Sequence, residues 1–431
     1  MKIKFINARI LINENNIDFI NGDVVVTDNK ITYVGKEIKN DKEKYERVID
    51  VNGNILMPGF VNAHCHTPMS ILRGLGSDCN LDKWLFDKMI PIEIKMTDND
   101  VYYAELLGIL EYVKAGVTCF EEGYAHTEAI IKAIRQSKIR ARVNIGDRQI
   151  EKEDKFSLSE LYKIDLDKIK NDELITPVVF IHSIYTNDED KILEAIDFTA
   201  KNNLPRSIHL SETLKEVGDC DVKNGCSPVE YLEKLGYFDR TCTCYHCVHC
   251  DKDDLQILKD YDVSVVTCPA SNLKLGSGIA PIYAMQNKGI NVAIGTDGVA
   301  SNNNIDMFKE MYLTSVLQKA SLYDASVVKA SEVLDMATIN GAKALKIENL
   351  GKIKEGYFAD IILIDINKPH FYPKNDLISH LVYSANCNDV YFTMCNGNIL
   401  YENGKFNIGE DENVIYKECE KNIKRLKEEV K

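Results

Sequence analysis

Between residues 60 and 298 the sequence alternates eight short apolar runs with amphipathic stretches of helical period, and few architectures satisfy that pattern. The runs are 60–66, 117–124, 140–147, 176–184, 206–212, 241–249, 263–270 and 291–298. Helical stretches at 98–114, 128–136, 188–202, 228–235 and 280–288 separate most of them. Near-continuous apolar strands followed by helices are how parallel βαβ units read, because such strands are buried on both faces. Eight units predict an α/β fold, a (β/α)8 TIM barrel over 58–345, whose active site lies at the C-terminal ends of the strands. Short strands at 2–6, 23–27, 30–34 and 47–50 precede the barrel, and others at 361–365, 390–395 and 398–401 follow it. They predict a small β-sandwich domain built from both chain ends, 1–57 and 346–431, closed by a charged helix over 413–430.

The first barrel run reads Pro58-Gly59-Phe60-Val61-Asn62-Ala63-His64-Cys65-His66. A strand sends residues i and i+2 to one side, so His64 and His66 aim at one point and Cys65 faces away. On a helix the pair would diverge, since helical metal pairs sit at i and i+4. A lone His-x-His is as readily structural, so the remaining ligands decide. His209 closes the fifth run, His246 lies on the sixth and Asp297 ends the eighth. In a closed barrel these ends converge on one mouth. Three histidines and a carboxylate, His64, His66, His209 and Asp297, suit one divalent ion, Zn²⁺ first and Fe²⁺ second, with one coordination position open.

Roles follow from chemistry. A metal lowers the pKa of water and so generates a nucleophile. Asp297 can accept a proton from that water, His246 can hydrogen-bond the hydroxide, and Glu212 can carry a proton to the leaving group. The plain alternative for Glu212 is a helix cap or a solvated carboxylate. His182 would stand at the mouth to bind substrate, or be structural. The run Cys242-Thr243-Cys244-Tyr245-His246-Cys247-Val248-His249-Cys250 admits a rival zinc reading. However, the alternation of Cys242, Cys244 and His246 fits a buried strand, and a zinc knuckle normally sets paired ligands apart by a loop.

Composition narrows the partners. With 52 Lys and Arg against 66 Asp and Glu, the net charge of −14 argues against nucleic acid and anionic membrane, both of which need a basic face. No apolar run approaches the roughly 20 residues of a membrane span. Met1-Lys2-Ile3-Lys4-Phe5 lacks the apolar core of a signal peptide. Thirteen cysteines, an odd number, read as reduced thiols, so a cytoplasmic location is expected. Homo-oligomerisation stays open.

With these residues in place the chain resembles the amidohydrolase superfamily, and within it the 5′-methylthioadenosine/S-adenosylhomocysteine deaminases. The resemblance covers nearly the whole length. It rests on the Pro58–His66 run, Leu72-Arg73-Gly74, Trp84-Leu85 through Pro91-Ile92-Glu93, His209-Leu210-Ser211-Glu212-Thr213 and His246-Cys247-Val248-His249. It continues in Ala270-Ser271-Asn272-Leu273-Lys274-Leu275-Gly276 and in Gly295-Thr296-Asp297-Gly298. It implies the same four metal ligands, Glu212 as the acid/base that touches the purine, and His246 as the holder of the hydrolytic water. It implies His182 as a substrate contact and Glu93 as the carboxylate for the ribose hydroxyls. The expected reaction is metal-dependent hydrolytic deamination of a purine nucleoside, an adenosine derivative, to the inosine counterpart and ammonia. Two departures stand out. Ile145 occupies the position where an arginine is expected after the third strand, leaving Arg148 as the candidate for the substrate, and Thr267-Cys268-Pro269 carries no histidine. Binuclear relatives use a carbamylated lysine on the fourth strand, and Val178-Val179-Phe180-Ile181-His182 has none, which favours one metal. A guanine or other free-base deaminase, a triazine-type hydrolase, and a non-catalytic barrel acting as a binding partner are the alternatives.

Overall fold

The structure is a computed structural model that describes residues 1–13, 17–39, 41–146, 165–239 and 241–430. The N-terminal segment supplies β1 (Lys2–Asn13), β2 (Ile17–Thr27), β3 (Lys30–Gly35), β4 (Arg47–Asp50) and β5 (Ile55–Pro58). Eight parallel strands follow: β6 (Phe60–Cys65), β7 (Val117–Glu122), β8 (Arg140–Asn144), β9 (Ile175–Ile181), β10 (Arg206–Leu210), β11 (Cys242–His246), β12 (Ser264–Thr267) and β13 (Asn291–Ile294). They pair in sequence order, β6 through β13. All six residues of β6 and of β7 are buried, as a strand covered on both faces requires. The eight-strand expectation therefore holds, in the expected order.

No ladder between β13 and β6 completes the ring among the described residues; side chains and one backbone bond close it instead. The Asn62 amide stands in for a strand edge. Its Nδ2 donates to Thr296 Oγ1 at 2.8 Å, and its Oδ1 accepts the Thr296 N–H at 2.8 Å. The Asp297 N–H donates to the His64 carbonyl at 3.0 Å. The backbones meet so closely here that a Cβ on Gly295 would lie 2.8 Å from both the Cβ and the carbonyl oxygen of His64. Only glycine fits this seam.

The chain ends form one nine-stranded sheet. After the barrel come β14 (Ile361–Ile364), β15 (Val390–Cys395), β16 (Asn398–Glu402) and β17 (Lys405–Phe406). The order is β17-β16-β15-β14-β5-β1-β2-β3, with β4 paired to β1. β1 and β15 are three places apart, which in a flat sheet means about 14 Å. The rings of Phe5 and Phe392 nevertheless meet edge to face at 5.7 Å, so the sheet folds over on itself around an apolar core that includes Ile3, Val24, Ile361 and Met394. The two-layered unit expected from both ends is thus a single continuous sheet.

β5 joins this sheet to the barrel through Gly59, where a Cβ would fall 2.2 Å from the Thr118 side chain. The C-terminal helix Glu412–Glu429 does not lie on the end sheet. It packs on the barrel helix Asp98–Lys114, where Arg425 reaches Asp100 and the Cys419 thiol donates to the Tyr103 carbonyl at 3.4 Å.

Candidate metal centre and its cavity

The alternation rule delivers His64 to the barrel interior, and His66, one residue past the end of β6, to the same mouth. His209 comes from β10, and the three side chains converge through Nε2. His64 Nε2 and His209 Nε2 are 3.2 Å apart, and His66 Nε2 and His209 Nε2 are 3.4 Å apart. Asp297 Oδ1 lies 3.5 Å from Nε2 of both His64 and His66. A tetrahedral zinc with Zn–N bonds of 2.0–2.1 Å separates two ligand nitrogens by about 3.3 Å. The donor atoms therefore already stand at a ligand-to-ligand spacing.

Electrostatics agrees with the spacing. Burial drives the His64 pKa down to about 3, against the raising effect of Asp297, and burial lowers His66 and His209 as well. Neutral imidazoles are the metal-binding form. The His66 Nδ1–H donates to the Gly123 carbonyl at 2.8 Å, which leaves its Nε2 lone pair for the cluster. Burial alone would raise Asp297, but His64, His246 and His66 outweigh it and hold the carboxylate ionised far below the usual range. Ser271 and Ser301 hydroxyls and the Gly298 N–H fix that carboxylate, the last at 2.6 Å.

Asp297 lies beyond β13, not on it, and its left-handed backbone (φ 59°) turns the side chain back into the mouth. His246 needs a similar device. Strand alternation groups it with Cys242 and Cys244, but Thr243 and Tyr245 face the barrel interior, so regular geometry would send His246 outward. Its φ of 66°, followed by 45° at Cys247, turns it inward to 5.6 Å from the His64 ring and 5.2 Å from His209. The shared face expected for His246 and the cysteines is thus corrected. All thirteen cysteines are free, and among the described residues the group of ligands that converges is His64, His66 and His209.

Around this centre opens a cavity lined by His66, Met69, Leu81, Trp84, Leu85, Glu93, Gly123, Tyr124, Ala125, Asn144, Phe180, His182, Tyr185, His209, Glu212, His246, Leu275 and Asp297. The expected set His182, Glu212, His246, Asp297 and Glu93 is therefore brought into one space. His246 donates from Nδ1 to Asn272 Oδ1 at 2.8 Å, and its Nε2 stands 3.9 Å from Glu212 Oε2. Burial opposes a charge on His246, but Glu212 and Asp297 raise its pKa. Burial in turn raises Glu212 above the ordinary carboxyl range.

Several supports of Glu212 escape sequence reasoning. The Ser277 hydroxyl donates to Glu212 Oε1 at 3.1 Å, and His249 Nε2 donates to the Ser277 carbonyl at 2.7 Å. Glu216 accepts the N–H of Ser211 at 3.0 Å and of Glu212 at 2.8 Å, locking the turn that carries the acid. A signal for Glu216 exists in Thr213-x-x-Glu216, which reads as a helix-capping box. Here the Thr213 hydroxyl does accept the Glu216 N–H at 3.1 Å, while the carboxylate reaches past the cap.

Glu93 lines the same cavity. The stretch before it is helical, a π-helical turn Lys83–Met89 running into Ile90–Glu93, and it places Trp84 and Leu85 on the wall. The Tyr124 hydroxyl donates to Glu93 Oε1 at 2.6 Å. Arg140 and Arg142 do not line the cavity. Arg140 pairs with Asp360 at 3.3 Å and Arg142 with Glu121, each buried. Arg148 falls outside the described residues.

Residues 55–400 match the model of the amidohydrolase family. The chain is 42% identical over 388 residues to a 5-methylthioadenosine/S-adenosylhomocysteine deaminase of Acetivibrio thermocellus, covering 89% of this chain and 90% of that one. It is 37% identical over 392 residues to a 5'-deoxyadenosine deaminase of Methanocaldococcus jannaschii, covering 89% and 92%. Among solved structures, a zinc-bound adenosine deaminase from Xanthomonas campestris superposes with a TM-score of 0.92 at 28% identity, covering 99% of this chain and 98% of that one.

Proposed function

The chain belongs to the amidohydrolase family, and we propose that it is a metal-dependent deaminase of adenosine derivatives. The reading rests on one arrangement: His64, His66, His209 and Asp297 meet at a point flanked by Glu212 and His246, inside a cavity that Glu93 also lines. The relatives named as nucleoside deaminases support it over a free-base or triazine substrate and over a non-catalytic barrel.

His64, His66, His209 and Asp297 would hold a single Zn²⁺, a choice supported by the zinc in the Xanthomonas relative. A bound divalent ion would supply, from water, a nucleophile at neutral pH. The chain's own groups do the rest. Asp297, ionised and held by two serines, accepts a proton from the attacking water. His246, its Nδ1–H fixed on Asn272, presents Nε2 to the reacting oxygen and steadies the charge that develops there. Glu212 protonates the purine ring, is recharged with the two protons that the attacking water loses, the first by way of Asp297, and passes one of them to the departing amine. Oxygen from water replaces the 6-amino group, and the products are the inosine derivative and ammonia. Glu93 receives the ribose hydroxyls, and His182 contacts the substrate beside His209, its ring 4.8 Å away. The apolar wall of Trp84, Leu85 and Leu275 shields the site from bulk water.

The test is the ultraviolet absorbance change when zinc-loaded protein meets S-adenosylhomocysteine, 5′-methylthioadenosine, 5′-deoxyadenosine or adenosine. Turnover of at least one is expected, and none at all would refute the reading. Glu93→Ala should raise KM for a nucleoside strongly; an unchanged KM would remove the ribose contact from the proposal.

A further inference from the structure

Two of the four groups at the centre have hydrogen-bonded anchors that set their direction, His66 through the Gly123 carbonyl and Asp297 through Ser271, Ser301 and Gly298, but His64 is held differently. Its Nδ1 is fully buried and has no hydrogen-bond partner. A metal-bound histidine ordinarily donates its second ring nitrogen to an acceptor, which fixes the plane of the imidazole. Here that constraint is missing, and an aromatic face takes its place. The Tyr245 ring lies flat against the His64 imidazole, with centroids 3.8 Å apart and planes inclined by 24°. The rings of His66, His209 and His246 meet His64 edge-on, and that of Phe180 lies tilted and farther off at 6.4 Å.

Tyr245 is itself anchored from below. Its hydroxyl donates to Glu121 Oε1, and Glu121 is gripped by Arg142 from one side and by the Ser207 hydroxyl at 2.9 Å from the other. Arg142 in turn donates to Thr243 Oγ1 at 3.0 Å and to the Ala344 carbonyl at 3.1 Å. Every member is buried, so the ring is fixed by charge-assisted hydrogen bonds in a buried layer of the barrel interior. A neutral imidazole stacks on a phenol ring without requiring any hydrogen bond from Nδ1.

We propose that Tyr245 is a positioning residue for the metal: its ring, held by Glu121 and Arg142, orients His64 in place of the absent hydrogen-bond acceptor on Nδ1. This inference rests on the metal reading above. It also specifies which part of the tyrosine matters. The ring face orients His64, and the hydroxyl only tethers the ring, so phenylalanine should serve nearly as well and an apolar chain of similar size should not.

The experiment is zinc affinity by competition with a chromophoric chelator, in the wild type, Tyr245→Phe and Tyr245→Met, alongside thermal unfolding of the metal-free proteins. Tyr245→Phe is expected to bind zinc within about three-fold of wild type and Tyr245→Met to lose about 10- to 100-fold, the usual effect of removing an outer-shell group. Wild-type affinity in Tyr245→Met overturns the proposal, and a loss in Tyr245→Phe as large as that in Tyr245→Met overturns it too, because the hydroxyl would then be the device. Should Tyr245→Met fail to fold, Tyr245→Phe alone still decides, since loss of affinity in a folded Phe variant contradicts a role for the ring. A wild type that binds no zinc refutes the metal reading itself, a different result from equal binding by all three.

Discussion

Glu121 and Glu122 are chain neighbours on β7, both fully buried, and they meet opposite circumstances. Glu121 points into the barrel, where Arg142, Ser207 and Tyr245 saturate its carboxylate. Glu122 points outward, toward the helix Asp98–Lys114. One of its oxygens accepts the Thr67 N–H at 2.9 Å, and the other has no partner. Beside it, both carboxyl oxygens of Glu105 are equally unpartnered. Burial lifts Glu122 to about 8 and Glu105 well above its ordinary value. Burial alone therefore does not decide how a carboxyl is tolerated. On the inner face a guanidinium compensates the charge, and on the outer face a retained proton removes it.

The largest test of this contrast is Glu121→Ala. It strands the Arg142 guanidinium in the barrel interior and should cost about 3–5 kcal/mol in urea unfolding with the metal chelated. A cost near zero would mean that the inner pair contributes nothing that its surroundings cannot replace.

Next comes pH. A carboxyl held above its unfolded value binds its proton more tightly in the folded chain, so its stabilising effect is complete below about pH 4.5 and is lost as pH rises through the folded pKa. For Glu122 that loss runs up to about pH 8, and Glu216 at about 8 and Glu310 at about 7 act in the same direction. The urea midpoint should fall between pH 5 and pH 8.5. Glu122→Gln, which still accepts from Thr67, should flatten the slope by up to one proton, about 1.4 kcal/mol per pH unit. An unaltered slope would place Glu122 with Glu121 and dissolve the contrast.

The smallest effect belongs to Glu105→Met, which replaces an unpartnered acid by an apolar chain of similar size. Stability at neutral pH should stay within about 1 kcal/mol of wild type or rise above it, with zinc affinity unchanged. A loss as large as that of Glu121→Ala would reveal a partner for Glu105.

The eight strands and the pairing of His64 with His66 were legible because both depend on local period: apolar runs announce β6 to β13, and the i, i+2 rule aligns the two imidazoles. Legibility ends where the chain leaves a strand. The expected run 241–249 shortens to Cys242–His246, and 291–298 to Asn291–Ile294, because residues with left-handed backbones, His246 and Asp297 among them, break the alternation that pattern reading extends. β5 was hidden for a related reason. Ile55 to Pro58 and the run after Gly59 read as one apolar stretch, although a glycine forced by Thr118 hands the chain from one sheet to another. Tyr245, Glu121, Glu216 and Asn272 were unreadable as site residues because their partners lie on other strands and loops. Alternation places Tyr245 inside the barrel but cannot show which ring it meets.

The seam between β13 and β6 has a consequence for how the molecule comes into being. Asn62 and Thr296, which close it, are 234 residues apart in the chain, so the ring is closed by a long-range contact. His64 emerges early in synthesis and Asp297 late, and they become neighbours only when the last strand docks beside the first. On the proposed reading, competence to hold a metal would certify completed assembly. A chain cut short before β13 lacks Asp297, and one that stalls with the ring open keeps it away from the three histidines.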